Sequence, residues 1–313
     1  MDLEYQAVLL IAFGGPTSPE EIRPFLARVL KGIPIPAERV EEVVRHYEAV
    51  GGRSPLNEIT FRQAQALQKT LTDSGFPLRV YVGMRNSSPI FTETLKQMSH
   101  DGVKNALGFI LSAQQNEASW QRYQRDVADA RAELGGHTPE VDYCDGWHAH
   151  RLFIQTWAEL IRTSFAQLRN GKDEMALIFT AHSLPVPMAA RSPYVAQLQT
   201  AARLIAESLG HQRWSLAYQS RSGKPSDPWL EPDVIQVIRA LAAQGIREVV
   251  VAPIGFVCDH VEVLYDLDIE ARSVAEELGL RLLRASSPND HATFIQMMAD
   301  VIKTKLAGTR ATP

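Results

Sequence analysis

The chain spells one strand, turn and helix phrase twice, and this repetition constrains its fold more than any single residue does. Val80-Tyr-Val-Gly-Met-Arg85, a proline-containing loop, an amphipathic stretch, Asp101-Gly102-Val103 and Ala106-Leu-Gly-Phe-Ile-Leu111 make the first copy. Ala217-Tyr-Gln-Ser-Arg221, a second proline-rich loop, another amphipathic stretch, Gln244-Gly245-Ile246 and Val249-Val-Val-Ala-Pro253 make the second. Upstream of the copies, Leu9-Leu-Ile-Ala-Phe-Gly-Gly-Pro16 and Leu177-Ile-Phe-Thr-Ala-His-Ser-Leu-Pro185 are both apolar runs broken by small residues and a proline. Continuous apolar runs separated by helical patterns fit parallel strands with crossover helices. The pattern predicts strands at Ala7–Phe13, Arg79–Val82, Asn105–Leu111, Val141–Cys144, Met175–Thr180, Ser215–Gln219, Glu248–Ala252 and Arg281–Leu283. The expected fold class is α/β, with two similar Rossmann-like domains over residues 1–147 and 148–313, parallel sheets flanked by helices, and a last helix packing back on the body. The plainer alternative is that any two β-turn-α-β units look alike at this level.

A length of 313 residues with 45% hydrophobic content fills such cores and excludes a disordered chain. The net charge of −4, with both signs well mixed, supplies no basic field for phosphates, so no nucleic-acid partner is expected. No apolar run reaches the ~18 residues of a membrane span, and the first residues lack a signal-peptide layout; no integral membrane segment and a cytoplasmic location are expected. Cys144 and Cys258 are far apart in sequence and lack Cys-x-x-Cys spacing, so no iron–sulfur cluster or thiolate zinc site is expected. Gly14-Gly15-Pro16 is not a dinucleotide fingerprint, and neither a Walker loop nor a Gly-x-Ser-x-Gly elbow occurs.

In doubly wound sheets ligands bind beyond the carboxyl ends of strands. His182 follows one predicted strand and the Gly255–Glu262 turn follows another, so two parallel strands of one sheet would bring them to a common cleft. Glu262, Asp266 and Glu270 stand at steps of four. On a helix they form a column about 12 Å long in which like charges repel, unless a divalent cation or a moving proton offsets the repulsion. Asp259-x-x-Glu262 also reads as a capping box, which accounts for Glu262 but not for Asp266 and Glu270. A widened turn would be one way to alter the column's alignment, because a regular helix rotates it by about 40° per step. His182 has two readings, a hydrogen-bonded loop residue or a base and metal donor working near neutral pH. A histidine with one or two carboxylates is an incomplete donor set that suits ferrous iron and lets it go again.

At these residues the chain resembles the ferrochelatase family. The resemblance spans almost the whole length through Phe13-Gly-Gly-Pro16, His46-Tyr-Glu-Ala-Val-Gly-Gly-Arg-Ser-Pro-Leu-Asn57, Gly83-Met-Arg-Asn86, Ala181-His-Ser-Leu-Pro185, Gln219-Ser-Arg-Ser-Gly223, Pro228-Trp-Leu-Glu-Pro-Asp233 and Gly255-Phe-Val-Cys-Asp-His-Val-Glu262. It implies a chelatase-like pair of Rossmann-like domains with a porphyrin cleft between them, and a lyase of haem biosynthesis that inserts ferrous iron into a porphyrin. It implies His182 and Glu262 as catalytic and metal-site residues, with Asp266 and Glu270 as a relay along a π-type turn. Phe13, Tyr47, Ser54 and Tyr123 are the implied porphyrin contacts, with Arg28, Arg45 and Arg53 as nearby charges; for Phe13, packing is the plain alternative. No tightly bound cofactor is expected, since ferrous iron is a substrate. The implied partners are porphyrin, iron and transient proteins of haem synthesis.

Two departures bear on the substrate. Phe13 stands where coproporphyrin-using members often carry a tyrosine, and Leu111-Ser-Ala-Gln-Gln-Asn-Glu-Ala-Ser119 lacks a histidine that many members have there. Protoporphyrin IX is the favoured substrate on this reading and coproporphyrin III the alternative. A non-catalytic haem-binding protein on the same scaffold is the remaining reading.

Overall fold

Ala7–Ala12 (β1) is buried at every position, as expected of a strand with neighbours on both edges and helices on both faces. In a computed structural model describing residues 5–32, 36–136, 138–169, 174–222 and 227–309, β1 pairs in parallel with Arg79–Met84 (β2) on one side and Asn105–Ile110 (β3) on the other. Glu140–Tyr143 (β4) completes a sheet of order β2-β1-β3-β4. A second parallel sheet, made of Met175–His182 (β5), Trp214–Gln219 (β6), Glu248–Ala252 (β7) and Arg281–Arg284 (β8), has the order β6-β5-β7-β8. The two orders are the same order, and the repeated phrases fall on matching strands, so the sequence repetition is a repetition of topology. In each sheet the chain reverses direction of travel beside its first strand, which creates a crevice between β1 and β3 and another between β5 and β7.

Helices Pro19–Val29 (α1), Ala37–Ala49 (α2) and Leu56–Asp73 (α3) connect β1 to β2, Phe91–His100 (α4) leads to β3, and Trp120–Leu134 (α5) leads to β4. Arg151–Phe165 (α6) precedes β5; it opens at His150, whose side chain accepts Leu152 N–H as an N-cap. Gly223 of the Gln219 motif lies outside the described residues. Val186–Ala190 (α7) and Tyr194–Leu209 (α8) link β5 to β6, and Val234–Ala243 (α9) leads to β7. After β7 come Val261–Tyr265 (α10), a π-turn at Asp266–Ala271, Arg272–Glu277 (α11), β8, and finally Ala292–Thr309 (α12).

The chain forms two units, one of Met1–Leu111, Ala118–Trp147 and Asp290–Pro313, the other of Ser112–Glu117 and His148–Asn289. Residues 290–313 therefore go with the first sheet rather than with 148–289. The reason is apolar: Phe294 is fully buried and meets Trp147 edge-on at 5.9 Å, and Trp147 stacks on Phe109 of β3 at 5.7 Å. A terminal helix carries no mark in its own sequence of which sheet it will cover.

In the second unit the core explains how α10, the π-turn and α11 are seated. Val263, Leu267, Ala271 and Ala275 are fully buried against β7 and α9 residues such as Val251 and Ile238. Like the acidic column they stand at steps of four, one residue out of phase with it. The apolar ridge anchors the helix and directs the neighbouring acids away from the core. Each such Leu or Val contributes about 1.5–3 kcal/mol by burial, so Leu267→Ala would loosen the anchor more than any surface change.

Candidate functional site

His182 is the last residue of β5, in register with Gln219 of β6. Its Nδ1 lies against the Ser183 carbonyl, which can only accept; Nδ1 therefore carries a hydrogen, and Nε2 is the ring nitrogen that faces Glu262. The buried Tyr194 hydroxyl donates to the His182 carbonyl at 2.9 Å, and burial pushes that phenol's pKa far up, so it stays a donor. Past His182 the chain runs beside the Pro228-Trp229-Leu230 stretch. Val186 N–H donates to Pro228 O at 2.9 Å, Leu230 N–H to Leu184 O at 2.9 Å, and Ser183 Oγ to Leu230 O at 3.0 Å. The proline- and tryptophan-rich motif thus works here as a brace for the histidine loop.

The opposing wall comes from the turn after β7. A Cβ on Gly255 would lie 2.5 Å from Ala181 Cβ and 2.7 Å from its Cα, so only glycine lets this turn approach the end of β5 so closely. Gly255 N–H donates to Thr180 O at 3.1 Å, which fixes that approach. The helix then starts at His260, whose Nδ1 accepts Glu262 N–H at 3.3 Å while its ring meets Phe256 edge-on at 4.7 Å. Burial lowers the pKa of His260, which favours the neutral acceptor form required of a cap. The Asp259 capping box expected from sequence is thereby corrected: Asp259 is spent on Arg284 and Asn289, at 3.0 and 2.9 Å, and the histidine after it caps the helix.

Glu262 Oε1 stands 3.7 Å from His182 Nε2, and both side chains are partly open, at 39% and 29% exposure. That separation is close to the 3–4 Å expected of two donors each about 2.1 Å from one divalent ion. The Glu262 backbone is also fixed, because its carbonyl accepts Gln219 Nε2 at 2.8 Å, while Asp266 N–H bonds to Val263 O. Asp266 opens the π-turn, so the widened turn expected from the column is present at its second carboxylate. Widening a turn beyond four residues subtracts from the drift that a regular helix gives to steps of four. Ser220, held at φ +62°, donates its hydroxyl to Asp266. Desolvation, with Glu262 and Glu270 adding to it, pushes the Asp266 carboxyl up to about 8 even though the Ser220 bond acts against the rise. Glu270 is exposed at the outer end of the column.

Comparison with known proteins decides the family. The ferrochelatase family model matches residues 5–306. The chain belongs to the ferrochelatase family. A coproporphyrin III ferrochelatase of Mycobacteroides abscessus is 40% identical over 98% of this chain and 90% of its own length. One of the same description from Mycolicibacterium smegmatis is 41% identical over 98% and 91%, and a ferrochelatase of Rhodopirellula baltica is 38% identical over 99% and 88%. Among solved structures, SirB from Bacillus subtilis with Fe3+ aligns over 99% of this chain and 98% of that one with a TM-score of 0.61 at 10% identity, a likeness of fold. The chain is thus a metal chelatase of the ferrochelatase family with two parallel, helix-flanked sheets.

Of the site residues expected in this ferrochelatase-family chain, the second unit gathers His182, Glu262, Asp266 and Glu270 on adjacent elements. The expected porphyrin contacts lie in the first unit. Phe13, half-buried, meets Phe25 edge-on at 6.2 Å, and Phe25 meets Tyr47 in the same way at 6.2 Å. Tyr47 and Tyr123 are 5% and 6% exposed, and Tyr123 sits in the core between α5 and the sheet, which leaves little of either ring open to a ligand. Ser54 is buried and its N–H donates to Pro16 O at 2.8 Å. Sequence reasoning missed His260, Gln219 and Ser220 as parts of the site. The caps of His260 and the reach of Gln219 depend on which strands are neighbours, although Gln219-Ser-Arg-Ser was already singled out as a motif.

Proposed function

We propose that this chain inserts ferrous iron into coproporphyrin III to give the iron coproporphyrin. The chelatase reading is carried by one observation, the paired His182 Nε2 and Glu262 Oε1 at 3.7 Å with His182 Nδ1 engaged by the Ser183 carbonyl. Insertion exchanges one divalent ion for two pyrrole N–H protons, so a site for it needs a base and an anionic donor together. His182 Nε2 takes one pyrrole proton and the Glu262 carboxylate takes the other, and both pass to solvent as the divalent ion replaces them. Asp266, whose proton is held to about pH 8, is placed to pass charge outward along the column towards Glu270. The substrate choice rests on the names of the relatives at 40% and 41% identity, which outweigh the preference for protoporphyrin IX drawn from sequence. Protoporphyrin IX stays as a second reading because Phe13 offers no phenol where coproporphyrin-using members often have one.

The test is anaerobic incubation with ferrous iron and each porphyrin in turn, following loss of the free-base spectrum. Coproporphyrin III is expected to be favoured by about tenfold or more in kcat/KM. A preference for protoporphyrin IX would reverse the substrate assignment. Metallation of neither, with haem bound tightly, would replace the enzyme reading by a haem-binding one.

A further inference from the structure

Arg284, the last residue of β8, ties together two points of the segment that carries Glu262. Its Nε donates to both oxygens of Asp268, at 2.8 and 2.9 Å, and its Nη1 donates to Asp259 Oδ1 at 3.0 Å. Asp259 immediately precedes the cap His260, Asp268 lies within the π-turn, and Glu262 is between them. All three ionic partners are largely covered, with side chains 13%, 18% and 23% exposed. Asn289, at φ +47°, closes the Asp259 end: its Nδ2 donates to Asp259 Oδ2 at 2.9 Å and its Oδ1 accepts Asp259 N–H at 2.9 Å. From the other side Gln219 of β6 holds the Glu262 carbonyl. The segment is therefore held by two strands that flank the site-bearing pair.

The same guanidinium sorts charge. Asp259, Glu262, Asp266, Asp268 and Glu270 crowd into one short stretch. Arg284 takes Asp259 and Asp268, and Arg272 adds a contact to Asp268 at 3.2 Å. Among the described residues Glu262 and Asp266 have no such guanidinium contact, and they face His182 and Ser220. A planar fork can bridge two carboxylates at fixed geometry, whereas a lysine ammonium is a single point charge.

We propose that Arg284 is a positioning residue of the chelatase reaction: by holding Asp259 and Asp268 it sets the π-turn and the reach of Glu262 toward His182, and withdraws two carboxylates from the open column. This rests on the role given to Glu262 above. The experiment compares Arg284→Gln, Arg284→Lys and Asp268→Asn, alone and combined with Glu262→Gln, by steady-state anaerobic iron insertion with thermal unfolding at the same pH. Arg284→Gln is expected to lower kcat about tenfold with the porphyrin KM changed by less than about twofold, and Arg284→Lys to recover only part of the loss. In the Glu262→Gln background the same substitution should cost less than about twofold, because the residue it positions is already disabled. An undiminished tenfold loss in that background, or full kcat in a folded Arg284→Gln enzyme, would overturn the inference. If Arg284→Gln does not fold, Asp268→Asn carries the test, with an expected loss of about threefold that vanishes when Glu262 is changed and overturns the inference when it does not. Full turnover by Glu262→Gln alone removes the role of Glu262 itself and the inference with it, a failure recognised without any change at Arg284.

Discussion

The turn that ends β1 and the turn that ends β5 occupy the same place in two sheets of the same strand order, and they carry opposite chemistry. After β1, Gly15 N–H donates to Asn57 Oδ1 at 2.8 Å, Asn57 Nδ2 donates back to Gly15 O at 2.9 Å, and Ser87 Oγ adds 2.8 Å to the same carbonyl. Gly14 takes φ +83° beneath Ser87, where a side chain would be both strained and obstructed. The groups that make these bonds are all neutral. After β5 the corresponding position holds His182, faced by Glu262 of α10. The two sheets share one strand order, and at the end of β5 an imidazole is faced by a carboxylate where the turn after β1 is held by an amide and a hydroxyl. The difference teaches that the fold fixes where a ligand-facing turn lies, while side-chain chemistry at that turn fixes what it does.

Substitutions at the two turns should therefore fail in different ways. The largest expected effect is at Glu262: Glu262→Gln should lower turnover by about a hundredfold or more while porphyrin affinity, followed by fluorescence titration, stays nearly the same. Equal loss of affinity and turnover would make Glu262 a structural residue like its counterparts in the first unit. Asn57→Ala should do the reverse. It leaves the Gly15 N–H without its partner in a buried turn and should cost about 2–3 kcal/mol of stability in denaturant unfolding, with turnover per folded molecule within about threefold. A hundredfold drop in turnover there, without loss of stability, would erase the contrast.

A smaller effect sharpens the comparison through pH. The Asp266 carboxyl holds its proton to about 8 in the folded protein, against about 3.9 for an unperturbed aspartate. Between these values the folded state binds more protons than the unfolded one, so this group's contribution is complete below the unfolded value and declines as pH rises towards about 8. Asp266→Asn removes that decline. Its melting temperature relative to the parent chain should rise steadily from about pH 5 to about pH 8, and a gap independent of pH would show that the carboxyl is not held neutral. Its turnover should fall only mildly, with a dependence on iron concentration or pH that the parent lacks.

Much of this organisation was legible in the sequence, for a physical reason. Strands buried on both faces must be continuously apolar, and the two sets of them announced two parallel sheets. The acidic column was legible too, because carboxylates at steps of four on an otherwise apolar helix require an explanation. What could not be read depends on neighbours distant in the chain. The cap at His260 in place of Asp259 follows from Arg284 and Asn289 taking the aspartate away. Gln219 reaches Glu262 because β6 lies beside β5, and α12 covers the first sheet because Trp147 and Phe109 offer Phe294 a partner there. Tyr47 and Tyr123 show the opposite ambiguity, since an aromatic in a family motif and an aromatic in a core are spelled alike, and both side chains are buried.

The most direct test of the central claim, that chemistry resides at the end of β5, is a single turnover. Enzyme loaded with one equivalent of coproporphyrin III is mixed anaerobically with ferrous iron, and the free-base bands are followed in the parent chain and in His182→Ala. The parent should lose those bands as the metalloporphyrin forms, whereas His182→Ala should keep its porphyrin bound and its free-base spectrum at least about a hundredfold longer. Metallation by His182→Ala at the parent rate would contradict the account.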